Sequence, residues 1–188
     1  SGPFDAQSNG GENTLIGGSG QNVLTSVGGN AVLIGGDGPN TLTATAGNDT
    51  IIGGDGPNQI FALHQGYSYA QNEDGTFSRF LIEGGTTITD GPGDDVIHAG
   101  LGDQITLTGG NDQITITGYS FYENGLSTED TGPAVINGFD PDTDTFMYRV
   151  AIDGDQDDFG EDGPPPREIV LEQRGDDLVL VENGNDRV

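Results

Sequence analysis

The sequence predicts an all-β protein, built as a parallel β-roll or β-solenoid with an inserted hairpin and a C-terminal β cap. The first reason is a nine-residue period of glycine and aliphatic residues between residues 8 and 61. The second is composition, because only 31% of the residues are apolar while glycine fills 34 of 188 positions. A repeat fold accommodates both features, since each short unit buries its apolar side chain against its neighbours.

Each nine-residue unit predicts a tight turn followed by a three-residue strand. A glycine lies four positions before the aliphatic residue of the unit and permits the turn. The aliphatic residue is the middle of the strand and points inward, because side chains alternate along a strand. The inward residues of this first block are Leu15, Leu24, Leu33, Leu42, Ile51 and Ile60.

The units alternate, which makes the structural repeat 18 residues long. A double glycine occurs in every second unit, at residues 17–18, 35–36 and 53–54. Two turns and two strands then form one coil, and stacked coils pair their strands at about 4.8 Å. The residues that follow the inward aliphatics face outward, so Ile16, Ile34 and Ile52 form an apolar stripe that needs a cover.

Three segments carry a family resemblance. GGSGQNVLT, GGDGPNTLT and GGDGPNQIF resemble the nonapeptide GGxGxDxUx of RTX (repeat-in-toxin) calcium-binding proteins, and the likeness covers mostly residues 8–61 and 84–117. The resemblance implies a parallel β-roll that binds Ca²⁺ through turn carbonyls and an Asp at the sixth position. It also implies type I secretion and folding outside the cell.

The first block departs from the family at that sixth position, which holds Asn22, Asn40 and Asn58. Calcium prefers oxygen ligands and usually several carboxylates, so amide oxygens predict weaker sites here. Two interpretations stay open: calcium sites of reduced affinity, or a stacked asparagine ladder without metal. Further candidate ligands in this block are Asp37, Asp49 and Asp55.

Residues 62–80 interrupt the period and predict the inserted hairpin, with its turn at residues 72–75. Its aromatic side chains are expected to cover the stripe of outward isoleucines. The alternative is a binding loop in which Tyr67 and Tyr69 stack on a carbohydrate or a partner.

The second block, residues 84–117, is more acidic and predicts the best metal site. GPGDDVIH and GGNDQITI match the calcium form of the repeat more closely than the first block does. Asp95 and Asp112 lie one coil apart, so their carboxylates are expected to face a common ion. Further candidates are Asp90, Asp94 and Asp103.

Residues 118–188 predict a β cap, with strands near 144–150, 168–172 and 177–181. The acidic loop 153–163 contains Asp153, Asp155 and Asp157, which begin like an EF-hand loop. The loop is not an EF-hand, because Asp158 stands where Gly is required and Pro164 where Glu is required. A looser calcium loop is the remaining hypothesis.

The charge and the motifs of the sequence exclude several classes of function. A net charge of −26 with five Arg and no Lys excludes a phosphate-binding basic patch, and no apolar run reaches the roughly 20 residues of a membrane helix. No residues are assigned as catalytic, because the sequence contains neither a nucleophile motif nor the ligand spacing of a transition-metal site. The sequence therefore predicts an extracellular, non-catalytic, calcium-binding module of a secreted bacterial protein.

Two alternatives remain open at this point. One is a polysaccharide-active enzyme, or an accessory module of a secreted enzyme, with a polysaccharide or cell-surface partner. The other is a calcium-independent structural or adhesive solenoid.

Overall fold

The computed structural model describes most of the predicted roll and parts of the C-terminal region. The ranges are 3–63, 67–71, 77–81, 85–121, 134–153, 168–174 and 177–183. All regular elements in these ranges are β-strands, which confirms the all-β class. No helix in the described ranges is long and apolar enough to cross a membrane.

One face of the roll, here called sheet A, has seven parallel strands. Each strand pairs with its counterpart in the next coil, so that Leu24 lies beside Leu42 and Leu42 beside Ile60. In spatial order the strands are β1 (Phe4–Asn9), β3 (Asn22–Val27), β5 (Asn40–Thr45), β7 (Asn58–Leu63), β11 (Val96–Gly100), β13 (Gln113–Phe121) and β15 (Thr145–Asp153).

The opposite face, sheet B, has eight strands. From one edge, the parallel strands are β2 (Thr14–Ile16), β4 (Val32–Ile34), β6 (Thr50–Ile52), β10 (Thr87–Thr89), β12 (Gln104–Thr106) and β14 (Val135–Asn137). The last two, β17 (Asp177–Asn183) and β16 (Glu168–Arg174), continue the sheet in antiparallel pairing. This antiparallel pair is the predicted C-terminal β cap, because it covers the edge that β14 otherwise leaves open.

The inserted hairpin is also present. Strands β8 (Tyr67–Gln71) and β9 (Phe77–Leu81) pair antiparallel and form a sheet of their own. They lie between β7 and β10 along the chain, and β7 extends to Leu63, slightly past the residue where the repeat was expected to stop.

The expectation of a three-residue strand in every unit is wrong for sheet A. Strands β3, β5 and β7 have six residues, whereas β2, β4 and β6 have three. The difference follows from the double glycine, which ends the short strands. Where it is absent, Ser26 and Ala44 turn their small side chains into the core, each 1% exposed, and the strand continues.

The core consists of two files of aliphatic side chains, one from each sheet, packed against each other. The inward residues predicted for the second block are fully buried, and they are Ile88, Ile97, Ile105 and Ile114. The inward residues of the first block are buried as well, except Leu15 in the first coil, which is partly buried. Of the outward isoleucines, Ile16 is 61% and Ile52 38% exposed, whereas Ile34 is half-buried. The two faces of each strand therefore follow the sequence alternation.

The roll continues beyond residue 117, into the region that was expected to act only as a cap. Ile136 of β14 lies beside Ile105, and Phe146 of β15 lies beside Ile114, both in parallel register. Residues 134–153 thus add strands of a further coil, and the antiparallel pair β16–β17 follows it.

Candidate metal centre

The turns that lead from a strand of sheet B to the next strand of sheet A stack in one column, here called the first corner. The residue at which each turn joins its strand of sheet A lies directly above its counterpart because these strands pair in register. From coil to coil, this position is filled by Asn22, Asn40, Asn58, Asp95, Asp112 and Asp144. The column changes from amides to carboxylates between Asn58 and Asp95.

Three aspartates meet at the carboxylate part of the first corner. One carboxylate oxygen from each of Asp90, Asp95 and Asp112 lies within 4.8 Å of the others. All three residues are buried, with at most 1% of their surface exposed. We refer to them below as the carboxylate cluster.

One oxygen of each cluster residue is held by backbone amides of the stacked turns. Asp95 Oδ1 accepts a hydrogen bond of 2.6 Å from the Asn58 N–H, and Asp112 Oδ1 accepts one of 2.9 Å from the Asp95 N–H. Asp90 Oδ1 accepts from the N–H groups of Gly91 and Thr108. These bonds fix the carboxylates in place and orient the second oxygen of each.

The second oxygens have no partner. Oδ2 of Asp90, Asp95 and Asp112 is buried and receives no hydrogen bond in the described part of the chain. An unpaired buried acceptor is costly, and a buried unpaired charge more so. The three carboxylates thus supply three acceptor atoms that lack a donor, and a bound cation would satisfy them.

The electrostatics of the cluster agree with this geometry. The pKa of Asp90 is raised from 3.8 to about 7, mainly by burial; the hydrogen bonds from Gly91 and Thr108 lower it, and the charges of Asp112 and Asp95 contribute to the rise. Burial likewise raises the pKa of Asp95 to about 7, and the pKa of Asp112 is raised for the same main reason. Proximity of like charges and loss of water both disfavour three ionised carboxylates here.

The cluster fits calcium in ligand type and size. Ca²⁺ takes oxygen ligands at about 2.3–2.6 Å, so two oxygens of one coordination shell lie at most about 5 Å apart. The oxygens of the cluster meet this limit, since they lie within 4.8 Å. Asp95 and Asp112, predicted to face a common site, are brought together, and Asp90 joins them.

The amide part of the first corner forms a continuous ladder. Asn22 Nδ2 donates a hydrogen bond of 2.7 Å to Asn40 Oδ1, and Asn40 Nδ2 donates one of 2.9 Å to Asn58 Oδ1. All three side chains are buried. The asparagine ladder foreseen as one of two interpretations of this block is therefore present.

Two of the other candidate ligands lie at the opposite column of turns, the second corner, and bind backbone amides. Asp49 Oδ1 accepts from the Ala31 N–H at 2.7 Å. The two oxygens of Asp103 accept from the N–H groups of Thr86 and Gly100, at 2.7 and 2.8 Å. Both carboxylates tie chain segments together and lie outside the cluster.

The remaining candidates in the described roll are exposed. Asp37 and Asp55 lie on the outside of their turns. Asp94 is also exposed, and its Oδ1 accepts from the backbone and the side chain of Asn111 in the next coil. Hydrogen bonding to Asn111 lowers the pKa of Asp94. Metal binding by these residues stays a prediction.

Some predictions fall on residues whose side chains the structure does not describe. Asp153 is the last residue of β15, and Asp155 and Asp157 lie outside the described residues. The side chains of Tyr67 and Tyr69, on which carbohydrate binding or covering of the isoleucine stripe depends, are likewise outside the description.

Sequence reasoning missed Asp144, which continues the carboxylate column. Its Oδ1 accepts from the Asp112 N–H at 3.0 Å, and its Oδ2 accepts from the Asp140 N–H at 2.8 Å. It therefore supports the cluster residue Asp112 from below. The signal was available, because Asp144 stands two positions before the inward Phe146, as Asp95 stands before Ile97.

Comparison with known proteins agrees with the repeat pattern. The family model described as the RTX calcium-binding nonapeptide repeat (4 copies) matches residues 7–30, 25–60 and 82–114. No curated protein and no solved structure gives a significant match to this chain. RTX nonapeptide repeats are calcium-binding, which supports Ca²⁺ as the cofactor of this chain. Residues 7–60 and 82–114 therefore consist of repeats of the RTX calcium-binding nonapeptide family.

Proposed function

We propose that this chain is a non-catalytic module of a secreted bacterial protein, and that calcium bound by Asp90, Asp95 and Asp112 folds and stabilises it outside the cell. The observation that carries the proposal is the set of three buried carboxylates, each with an oxygen that lacks a partner. Such a set is unfavourable without a cation and favourable with one.

The calcium-free chain has strong reasons to stay open. Its net charge of −26 favours expansion through self-repulsion. Its 34 glycines lose more backbone entropy on ordering than other residues do. Calcium that binds the folded roll and not the open chain shifts this balance toward the roll.

The three ligands connect different turns of the first corner. Asp90 and Asp95 begin and end the turn that leads into β11, and Asp112 ends the turn that leads into β13. Calcium supplies the positive charge that the three carboxylates lack. Its binding therefore joins two stacked coils, in addition to the backbone hydrogen bonds between their strands.

An extracellular location is supported by the repeat family. Extracellular calcium modules have dissociation constants of about 10⁻⁴ to 10⁻³ M, in the range of the calcium that surrounds cells. A module of this kind stays unfolded at low calcium and folds after export. The match to RTX repeats also supports secretion by the type I route.

A calcium-independent structural solenoid is the second candidate, and the asparagine ladder favours it. Asn22, Asn40 and Asn58 connect their coils by side-chain hydrogen bonds that involve no ion. If that ladder and the aliphatic core suffice for folding, calcium adds stability without deciding whether the roll forms.

The deciding experiment is a calcium titration of the full chain after treatment with EDTA. Circular dichroism follows strand formation, and metal analysis after dialysis gives the bound calcium per chain. We expect a cooperative gain of strand signal and bound calcium at about millimolar concentration. A full strand signal already present in EDTA, together with calcium binding once the ion is added, would favour the second candidate. Absence of bound calcium after the titration would refute the proposed function.

A further inference from the structure

We propose that the side-chain amide nitrogens of Asn22, Asn40 and Asn58 occupy the positions at which calcium would bind in the first block, so that these three turns take no cation. The proposal extends the proposed function, because it confines calcium in the first corner to the carboxylate cluster. It rests on the oxygen atoms that surround each amide nitrogen.

The surroundings of the Asn40 nitrogen resemble an ion site. Nδ2 lies 2.6 Å from the Gly38 carbonyl oxygen and 3.2 Å from the carbonyl oxygens of Gly36 and Gly53. A fourth oxygen, Oδ1 of Asn58, lies at 2.9 Å. Four oxygens thus converge on an atom that carries only two hydrogens.

The same arrangement recurs one coil away. Asn22 Nδ2 lies 3.0 Å from the carbonyl oxygen of Gly18, 2.6 Å from that of Gly20 and 3.1 Å from that of Gly35. Oδ1 of Asn40 completes the set at 2.7 Å. Asn58 Nδ2 also faces three carbonyl oxygens, with two of the distances lengthened to 3.4 Å beside the carboxylate cluster.

The orientation of these amides follows from chemistry. Backbone carbonyl oxygens only accept hydrogen bonds, so the side-chain atom that faces three of them must be the nitrogen. Oδ1 of Asn22 points away from them and accepts a hydrogen bond of 3.1 Å from the Gly18 N–H. The partly positive NH₂ group thus stands where a cation would otherwise collect these oxygens.

The carboxylate cluster shows what happens when the nitrogen is replaced by oxygen. At Asp95 and Asp112 the atom equivalent to one amide position is Oδ2, which has no donor. The same fold therefore contains turns that are satisfied by their own amides and turns that require an external positive charge. This contrast gives a direct substitution test.

The test is Asn40→Asp in the full chain, with Asn30→Asp as the matched control. Asn40→Asp places a fifth oxygen among four and removes the donor, whereas Asn30 is exposed and uses only its Oδ1, which accepts from the Asn48 N–H. We expect Asn40→Asp to bind about one more Ca²⁺ per chain than the unsubstituted protein. At the lowest calcium concentration that keeps the unsubstituted protein folded, its Tm should fall by about 5 °C or more, since each unpaired buried acceptor is destabilising.

Asn30→Asp makes the same change in charge and should alter neither the bound calcium nor the calcium dependence of Tm. If Asn40→Asp folds in calcium and binds no more metal than the unsubstituted protein, the proposal is wrong. This result is distinct from one that refutes the proposed function. The proposed function fails only if the unsubstituted chain itself binds no calcium.

A second measurement covers the case in which Asn40→Asp does not fold. The side-chain NH₂ signals of the three asparagines, followed by NMR in the folded unsubstituted protein, should keep their chemical shifts and slow hydrogen exchange as further calcium is added. Large shifts or loss of protection at these groups would mean that calcium displaces the amides, and would overturn the proposal.

Discussion

Replacing Asp112 with Asn should stabilise the calcium-free protein and weaken calcium binding at the same time. In the carboxylate cluster each pair of oxygens lies within 4.8 Å. At that distance two unit charges repel by about 3.5 kcal/mol with an effective dielectric constant of about 20. Asp112 takes part in two such pairs, so replacing it relieves about 7 kcal/mol of repulsion if all three carboxylates are ionised.

Proton uptake reduces that figure, because the pKa values of Asp90 and Asp95 are already raised to about 7. At pH 7.5 we expect Asp112→Asn to stabilise the calcium-free roll by about 2–4 kcal/mol, seen in EDTA as a larger strand signal and, where an unfolding transition is present, as a Tm higher by roughly 4–16 °C. The new side chain keeps an Oδ1 that accepts from the Asp95 N–H. The loss of one of three carboxylates should weaken calcium binding about 100-fold.

Calorimetric titration and thermal unfolding, each with and without calcium, measure the two effects. Asp5→Asn is the control, because it removes the same charge from an exposed residue of β1 outside the first corner, and its calcium affinity should stay close to that of the unsubstituted protein. A purely structural Asp112 would lose stability in both conditions with unchanged affinity. That outcome would refute the assignment of Asp112 as a ligand.

Three further predictions concern protons, glycines and the core. Below pH about 7, calcium affinity should fall by up to ten-fold per pH unit for each proton that calcium displaces. The calcium-free roll should lose stability as pH increases from 3.8 to about 7, because folding raises the pKa of Asp90 over that range. Titrations from pH 5 to 8 check both signs. Gly36→Ala should lower the free energy of unfolding in urea by about 3 kcal/mol or more, because Gly36 has φ 103° and a Cβ there would meet the Gly18 carbonyl. Gly10→Ala, at φ 64° and with open space around the position, should lower it by only about 1 kcal/mol. Ile97→Ala should cost about 2–5 kcal/mol because Ile97 is fully buried, and Ile16→Ala, at 61% exposure, should cost less than about 1 kcal/mol by the same measurement.

The fold was largely predictable because its information is local and periodic. A nine-residue spacing fixes which residues face inward, and Leu24, Leu42 and Ile60 accordingly stack in one file. Strand length was not predictable from the spacing of the aliphatic residues alone. It depends on whether Ser26 or a double glycine follows, and hence on how much space remains between the sheets.

The metal centre was predictable only in part. Asp95 and Asp112 share a position in the repeat, so their juxtaposition follows from the register. The role of Asp90 does not follow from the register, because the equivalent position in the first block is glycine. Only the folded turn shows that the Asp90 carboxylate approaches those of Asp95 and Asp112. Asp103 has a similar sequence context to Asp95, yet backbone amides take up both of its oxygens.

The glycine at the start of each amide-containing turn has a consequence for how such a protein can change over generations. A Cβ at Gly17 would collide with the Asn22 amide group and with the Gly35 carbonyl, whereas the carboxylate turn begins with Asp90. Because the tightest of these clashes is with a backbone carbonyl, replacing the glycine requires the neighbouring turn to move whichever residue stands at the asparagine position. The first residue of these turns should therefore vary less over generations than the asparagine, and ion-dependent turns should arise from ion-free ones by exchange of the asparagine alone.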